Sequence, residues 1–170
     1  MKTKITILVF FIMNLLAPLT LANQTLPHNE HILFVETAPH STLMPKQADP
    51  GVYVITLKPV NSHLTYFAQR PARKSGVLAT NDFFLNWRKG RDSFMKDAPN
   101  ADISAVPAGR IGLPINLPVV IIGMQQNIKE HSIAFTFRPL IQENQQPIQL
   151  QPMHLGYTAI FIDDWCLSCI

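Results

Sequence analysis

The residues best placed to do chemistry stand together in Asp163-Asp-Trp-Cys-Leu-Ser-Cys-Ile, which holds both cysteines of the chain, Cys166 and Cys169. Thiols three positions apart have three uses. In an oxidising compartment they close a disulfide, and so small a loop contributes only about 2 kcal/mol through chain entropy. They can cycle as a redox pair, which calls for a helix starting at the first cysteine so that its dipole lowers the thiol pKa. They can also hold Cu(I) or Zn(II), with His154 or Met153 completing the shell. The sequence runs one residue past Cys169, which leaves no helix to activate the thiol, so the pattern favours a Cys166–Cys169 disulfide. Metal binding by Cys166, Cys169 and His154 is the alternative.

Two other groups are weaker. His28 and His31 are spaced i, i+3 and are followed by His40, a spacing that shares a metal on a helix, but the surrounding residues have no helical period and solvated histidines are expected. Arg70, Arg73, Lys74, Arg88, Lys89 and Arg91, with Lys96 beyond them, are opposed in that span only by Asp82 and Asp92. Folded together, they would form a binding surface for an anionic polymer, a phosphate headgroup or an acidic partner protein. The plainer reading is an ordinary solvated surface, with Arg70 paired to Asp49 or Asp102. No Gly-x-Ser-x-Gly, His-Glu-x-x-His or phosphate-cradling glycine loop occurs, so no catalytic residue is assigned and no cofactor is implied outside the Cu or Zn alternative.

The start of the chain reads as an address. Met1-Lys-Thr-Lys is basic, Ile5 to Leu16 is almost wholly apolar, and Thr20-Leu-Ala22 supplies the small residues that a signal peptidase reads. Cleavage after Ala22 would remove Lys2 and Lys4, leaving 12 basic and 11 acidic side chains on 148 residues. Such a near-neutral chain carries no specific signal for nucleic acid. It also has no second apolar run long enough to cross a membrane. The expected division is a signal peptide over 1–22, a loose arm over 23–30, one β-rich domain over 31–162 and a Cys-x-x-Cys tail over 163–170, with a periplasmic or secreted destination.

Within the domain, strands are expected at Ile32 to Thr37, at Val52 to Lys58, and at His63 to Ala68 pairing back on the second of these across a Pro59-Val-Asn-Ser turn. Further strands are expected at Asp102 to Val106, Leu117 to Met124, Ser132 to Arg138 and Tyr157 to Ile162. Ser75 to Ala79 is too short to classify. Leu117 to Met124 has apolar residues on both faces, as in a central strand covered on both sides. Ile133, Phe135 and Phe137 alternate onto one face. One short amphipathic helix is expected, capped by Thr80 or Asn81, with Asp82 in its first turn and Gly90 past its end. Its Phe83, Phe84 and Trp87 share a face, and so short a helix must bury that face to persist. Some seven strands with proline-rich margins imply an antiparallel β-sandwich of immunoglobulin-like type, with a barrel as the alternative.

Thr56-Leu-Lys-Pro-Val, Thr65-Tyr-Phe-Ala-Gln-Arg-Pro-Ala-Arg, Phe84-Leu-Asn-Trp, Asp92-Ser-Phe and Ala98-Pro-Asn-Ala-Asp-Ile-Ser together resemble a family of small exported bacterial proteins of unassigned function. The resemblance covers the middle half of the chain after the leader, implies an envelope or secreted location, and brings no catalytic residues. Trp165-Cys-x-x-Cys after an apolar strand is similar to the redox stretch of thioredoxin-like proteins, without the helix and strands that should follow it. The expectation is a non-catalytic binding or structural protein of the bacterial envelope, whose partner is another envelope protein or an anionic surface component. The alternative is thiol redox or copper or zinc handling through the tail.

Overall fold

In the computed structural model the described residues are 32–68, 73–88, 93–109, 114–140 and 148–163. They form β1 (Ile32–Ala38), β2 (Ser41–Pro45), β3 (Tyr53–Leu57), β4 (His63–Ala68), β5 (Ser75–Ala79), α1 (Thr80–Arg88), β6 (Asn100–Pro107), β7 (Ile115–Asn127), β8 (Ser132–Pro139) and β9 (Met153–Ile162). All pairings are antiparallel, in the order β2-β3-β8-β7-β6-β9-β1-β4-β5. A further pairing of β2 with β9, Ser41↔Leu155 to Leu43↔Met153, joins the ends of the first six strands. The sheet therefore closes into a six-stranded β-barrel, not a sandwich.

Closure comes from how β9 is shared. One edge of this long strand runs along β6, while its other edge takes β1 over residues 158–162 and β2 over 153–155 in one continuous register. β1 and β2 thus act as a single strand bent at Pro39-His40, where proline interrupts the ladder. The first half of this bent strand carries β4 and β5 as a wing, and its second half shuts the barrel. At the seam the Thr158 hydroxyl donates to the Gly156 carbonyl (3.0 Å), and the Ser41 hydroxyl at 2.7 Å donates to Thr158 Oγ1, so two buried polar side chains satisfy each other. Register shifts at Ala105/Pro107 and at Ile121/Gly123 supply the local bends that a narrow barrel requires.

The inner faces follow the two-residue alternation of side chains along a strand. Ile133, Phe135 and Phe137 on β8, Val119 and Ile121 on β7, Ile55 and Leu57 on β3, and Ile160 and Ile162 on β9 are all fully buried. α1 closes the space between wing and barrel. Its Phe83 meets Phe34 of β1 at 4.9 Å between ring centroids, and its Trp87 meets Phe94 at 4.9 Å and Phe135 at 6.3 Å. The tilted and edge-on ring pairs are the arrangements aromatic quadrupoles prefer. Trp87 is core, as the spacing predicts; Phe84 is only half-buried, with the Arg88 guanidinium over its ring at 5.7 Å.

Three local expectations need correction. β4 does not pair with β3. It lies between β1 and β5, because β3 has both edges occupied by β2 and β8. β7 is not covered on both faces, since Leu117, Val119 and Ile121 point inward while Ile122 is 42% exposed. Its apolar outer residues are β-formers on a solvated barrel wall. Thr80 does not cap the helix with its hydroxyl, which instead donates to the Asn61 carbonyl at 3.1 Å and ties the β5–α1 junction to the residues before β4.

Candidate functional site

Of the six basic residues expected to form a surface, Arg73 and Lys74 stand just before β5 and Arg88 in the last turn of α1, all exposed. Arg70, Lys89 and Arg91 lie outside the described residues, as do Asp92, Gly90, His28 and His31. Asp49, one of the two acids considered for Arg70, is instead ion-paired to Lys46 at 2.5 Å, and that ammonium holds its carboxyl below the usual range. His40 is exposed, and its carbonyl accepts from the Lys58 N–H at 3.0 Å.

Cys166 and Cys169 also lie outside the described residues. His154 is exposed on β9 opposite Thr42 of β2. From there to Asp163, the last described residue before the cysteines, the extended strand covers about 30 Å at its usual rise. The three residues from Asp163 to Cys166 span at most about 11 Å. Among the described residues no three His, Cys, Asp or Glu side chains gather into a group able to hold a metal ion.

The side chain with the most unusual environment escapes motif reading. Glu36 lies in the middle of β1 on the inner face, between Phe34 and Ala38, and is 2% exposed. Across the sheet it is level with Ile160 of β9 and, beyond that, with Ile103 of β6. On the other side, pairing with β4 ends at Val35↔Thr65, one step before Glu36 would meet Leu64. The Thr37 N–H therefore has no described β4 partner, and Glu36 Oε1 accepts from it at 3.2 Å. Oε2 is buried and has no hydrogen-bond partner among the described residues. Burial in this apolar surround pushes the carboxyl up from 4.5 to about 7, against the smaller opposing effect of the Thr37 hydrogen bond. The sequence signal for it was slight but present. In Ile32-Leu-Phe-Val-Glu-Thr-Ala the glutamate falls in phase with Ile32, Phe34 and Ala38.

Two open clefts mark the surface. One, of about 310 Å³, lies between the β1–β2 bend and the residues before β4, with Thr37, Pro39, Pro59, Asn61 and Tyr157 on its walls. Glu36 is not part of it, being on the opposite face of β1 from Thr37. The other, about 480 Å³, lies along the β7–β8 hairpin from Gln125 to Ala134. Among the described residues, neither is lined by a histidine, a cysteine or a carboxylate. The barrel interior is filled by its own side chains, as expected of so few strands. No family model, curated protein or solved structure matches this chain.

Proposed function

We propose that the chain is an exported, non-catalytic binding or structural protein of the bacterial envelope that works by contact across its outer surface. The observation that carries this reading is the filled barrel. With Ile55, Val119, Ile121, Phe135, Phe137 and Ile160 all at 0% exposure along its interior, ligands are left the outside of the wall. Export is read from the basic, apolar and small-residue stretches of the leader and from the resemblance to small exported proteins. The contact surface in this reading is the basic group represented among the described residues by Arg73, Lys74 and Arg88, which suits an anionic surface component or an acidic partner protein.

The test is binding of the protein, isolated from periplasm, to washed cell envelopes at two ionic strengths, about 50 and about 200 mM salt. Binding should weaken with salt. It should fall at least about tenfold when Arg73, Lys74 and Arg88 are all changed to Glu. Equal binding by parent and variant would remove the surface assignment. A stoichiometric metal, or a reactive dithiol at Cys166 and Cys169, would favour the thiol reading instead.

A further inference from the structure

Every described strand except one has neighbours on both edges. β5 pairs only with β4. The direction of its backbone follows from two hydrogen bonds. The Ala68 N–H donates to the Lys74 carbonyl (2.7 Å) and the Thr80 N–H to the Ser62 carbonyl (2.9 Å), so residues 74 and 80 turn toward β4. Since backbone groups alternate along a strand, 76 and 78 turn the same way. Ser75 and Val77 then direct both N–H and C=O to the open edge and Ala79 its N–H, the Ala79 carbonyl being taken by the first turn of α1.

Among the described residues that edge lacks the usual defences. Ser75-Gly-Val-Leu-Ala contains no charge and no proline, and Val77 is 52% exposed. The Tyr66 ring lies over Gly76, with Oη 2.8 Å from where a Cβ would stand, so the strand is held flat against β4 rather than bulged away.

We propose that β5 is a self-association edge, on which a second copy of this chain adds its own β5 antiparallel about a two-fold axis at Val77. In that register Val77 faces Val77 of the other copy and Ser75 faces Ala79. The Val77 N–H and C=O then meet their counterparts on the other copy, and the Ala79 N–H of each copy meets the Ser75 carbonyl of the other. A shift by one residue would set outward groups against groups already bonded to β4. On the outer face Val77, Thr65, Val35 and Phe161 form one cross-strand row, which the second copy continues. Edge pairing over five residues buries less than the roughly 1,000 Å² expected of a stable interface. The dimer is accordingly weak and concentration-dependent, and it stands independently of the envelope reading.

Sedimentation velocity on the leader-free protein over about 5 to 500 μM, a range suited to a small interface, tests it. A reversible monomer–dimer equilibrium is expected. Val77→Pro removes an outward N–H that the β4 ladder does not use, so it should weaken dimerisation at least about tenfold while circular dichroism stays unchanged. Val77→Lys, which places no proline in the strand, should do the same. A monomer at every concentration, a dimer indifferent to both Val77 variants, or an edge occupied only by an extended segment of a different protein would each overturn the proposal. Because envelope binding is read separately, loss of the dimer with envelope binding intact, or the reverse, shows which of the two readings has failed.

Discussion

Replacing Glu36 by Gln isolates one buried charge. The carboxyl rises from 4.5 to about 7 on folding, so the folded chain holds this proton more tightly than the unfolded one. Stability from Glu36 is therefore fully present below pH 4.5 and is lost as pH rises through about 7. A rise of about 2.5 units corresponds to about 3 kcal/mol at 1.36 kcal/mol per unit. Glutamine keeps the shape and an oxygen able to accept from Thr37 N–H. Its NH₂ occupies the place of the unpartnered Oε2, which adds a cost of about 1–3 kcal/mol that does not vary with pH. The decisive quantity is thus how the stability difference between parent and Glu36→Gln changes with pH. Urea unfolding followed by circular dichroism at pH 4.5, 6, 7 and 8 should show the variant gaining about 3 kcal/mol on the parent across the series. A difference that stayed constant within about 0.5 kcal/mol would mean that Glu36 is not held in an apolar surround, and the inner face of β1 would have to be redrawn.

The remaining predictions concern what holds the wing and the helix. Gly76→Ala places a methyl 2.8–2.9 Å from the Tyr66 ring, which should destabilise the fold by about 1–3 kcal/mol; adding Tyr66→Leu should recover part of the loss in the same unfolding experiment. Trp87→Ala empties the junction of Phe83, Phe94 and Phe135 and should cost about 3–5 kcal/mol by urea midpoint, whereas Leu85→Ala, on the exposed side of α1, should cost less than about 1 kcal/mol. Tyr53→Phe removes a hydroxyl that donates to the Ile148 carbonyl (3.1 Å) and accepts from the Leu150 N–H (3.2 Å); amide exchange at Leu150 should accelerate, with a global loss of about 1–2 kcal/mol.

What could be read from the residues is what depends on short-range pattern. Ile133, Phe135 and Phe137 alternate because β8 has one wet face, and all three are fully buried. α1 announces itself through Asp82 near its positive end and Phe83 and Trp87 one turn apart. Pairing partners are a different matter. A turn at Pro59 makes a β3–β4 hairpin the local expectation, yet β3 is claimed by β2 on one side and β8 on the other. Ser75-Gly-Val-Leu-Ala has too little pattern to declare a strand. It becomes one because Gly76 lets the Tyr66 ring lie across it. Among the candidate sites, basic residues and cysteines stand out by type, whereas Glu36 stands out only once the phase of β1 is known.

Choosing between sandwich and barrel shows the same limit in its sharpest form. Both architectures bury one face of every strand, so hydrophobic alternation is identical in the two. What separates them is whether the outermost strands of the six meet, and here that depends on the bend at Pro39-His40. β1 and β2 run along the same edge of β9 in one register, and across Pro39-His40 the strand on their far side changes from β4 to β3. In this way one strand of sequence serves two sheets, the wing keeps a free edge at β5, and the interior becomes too narrow for anything but its own side chains. Two properties that bear on function, a filled core and an open outer strand, thus follow from where one strand bends. A variant that removes the seam hydroxyl, Ser41→Ala, which loses the bond to Thr158, should loosen the β2–β9 pairing first, detected as faster amide exchange across Ser41 to Leu43 while β6, β7 and β8 stay protected. Uniform loss of protection around the whole ring would instead show that closure is built into all six strands together.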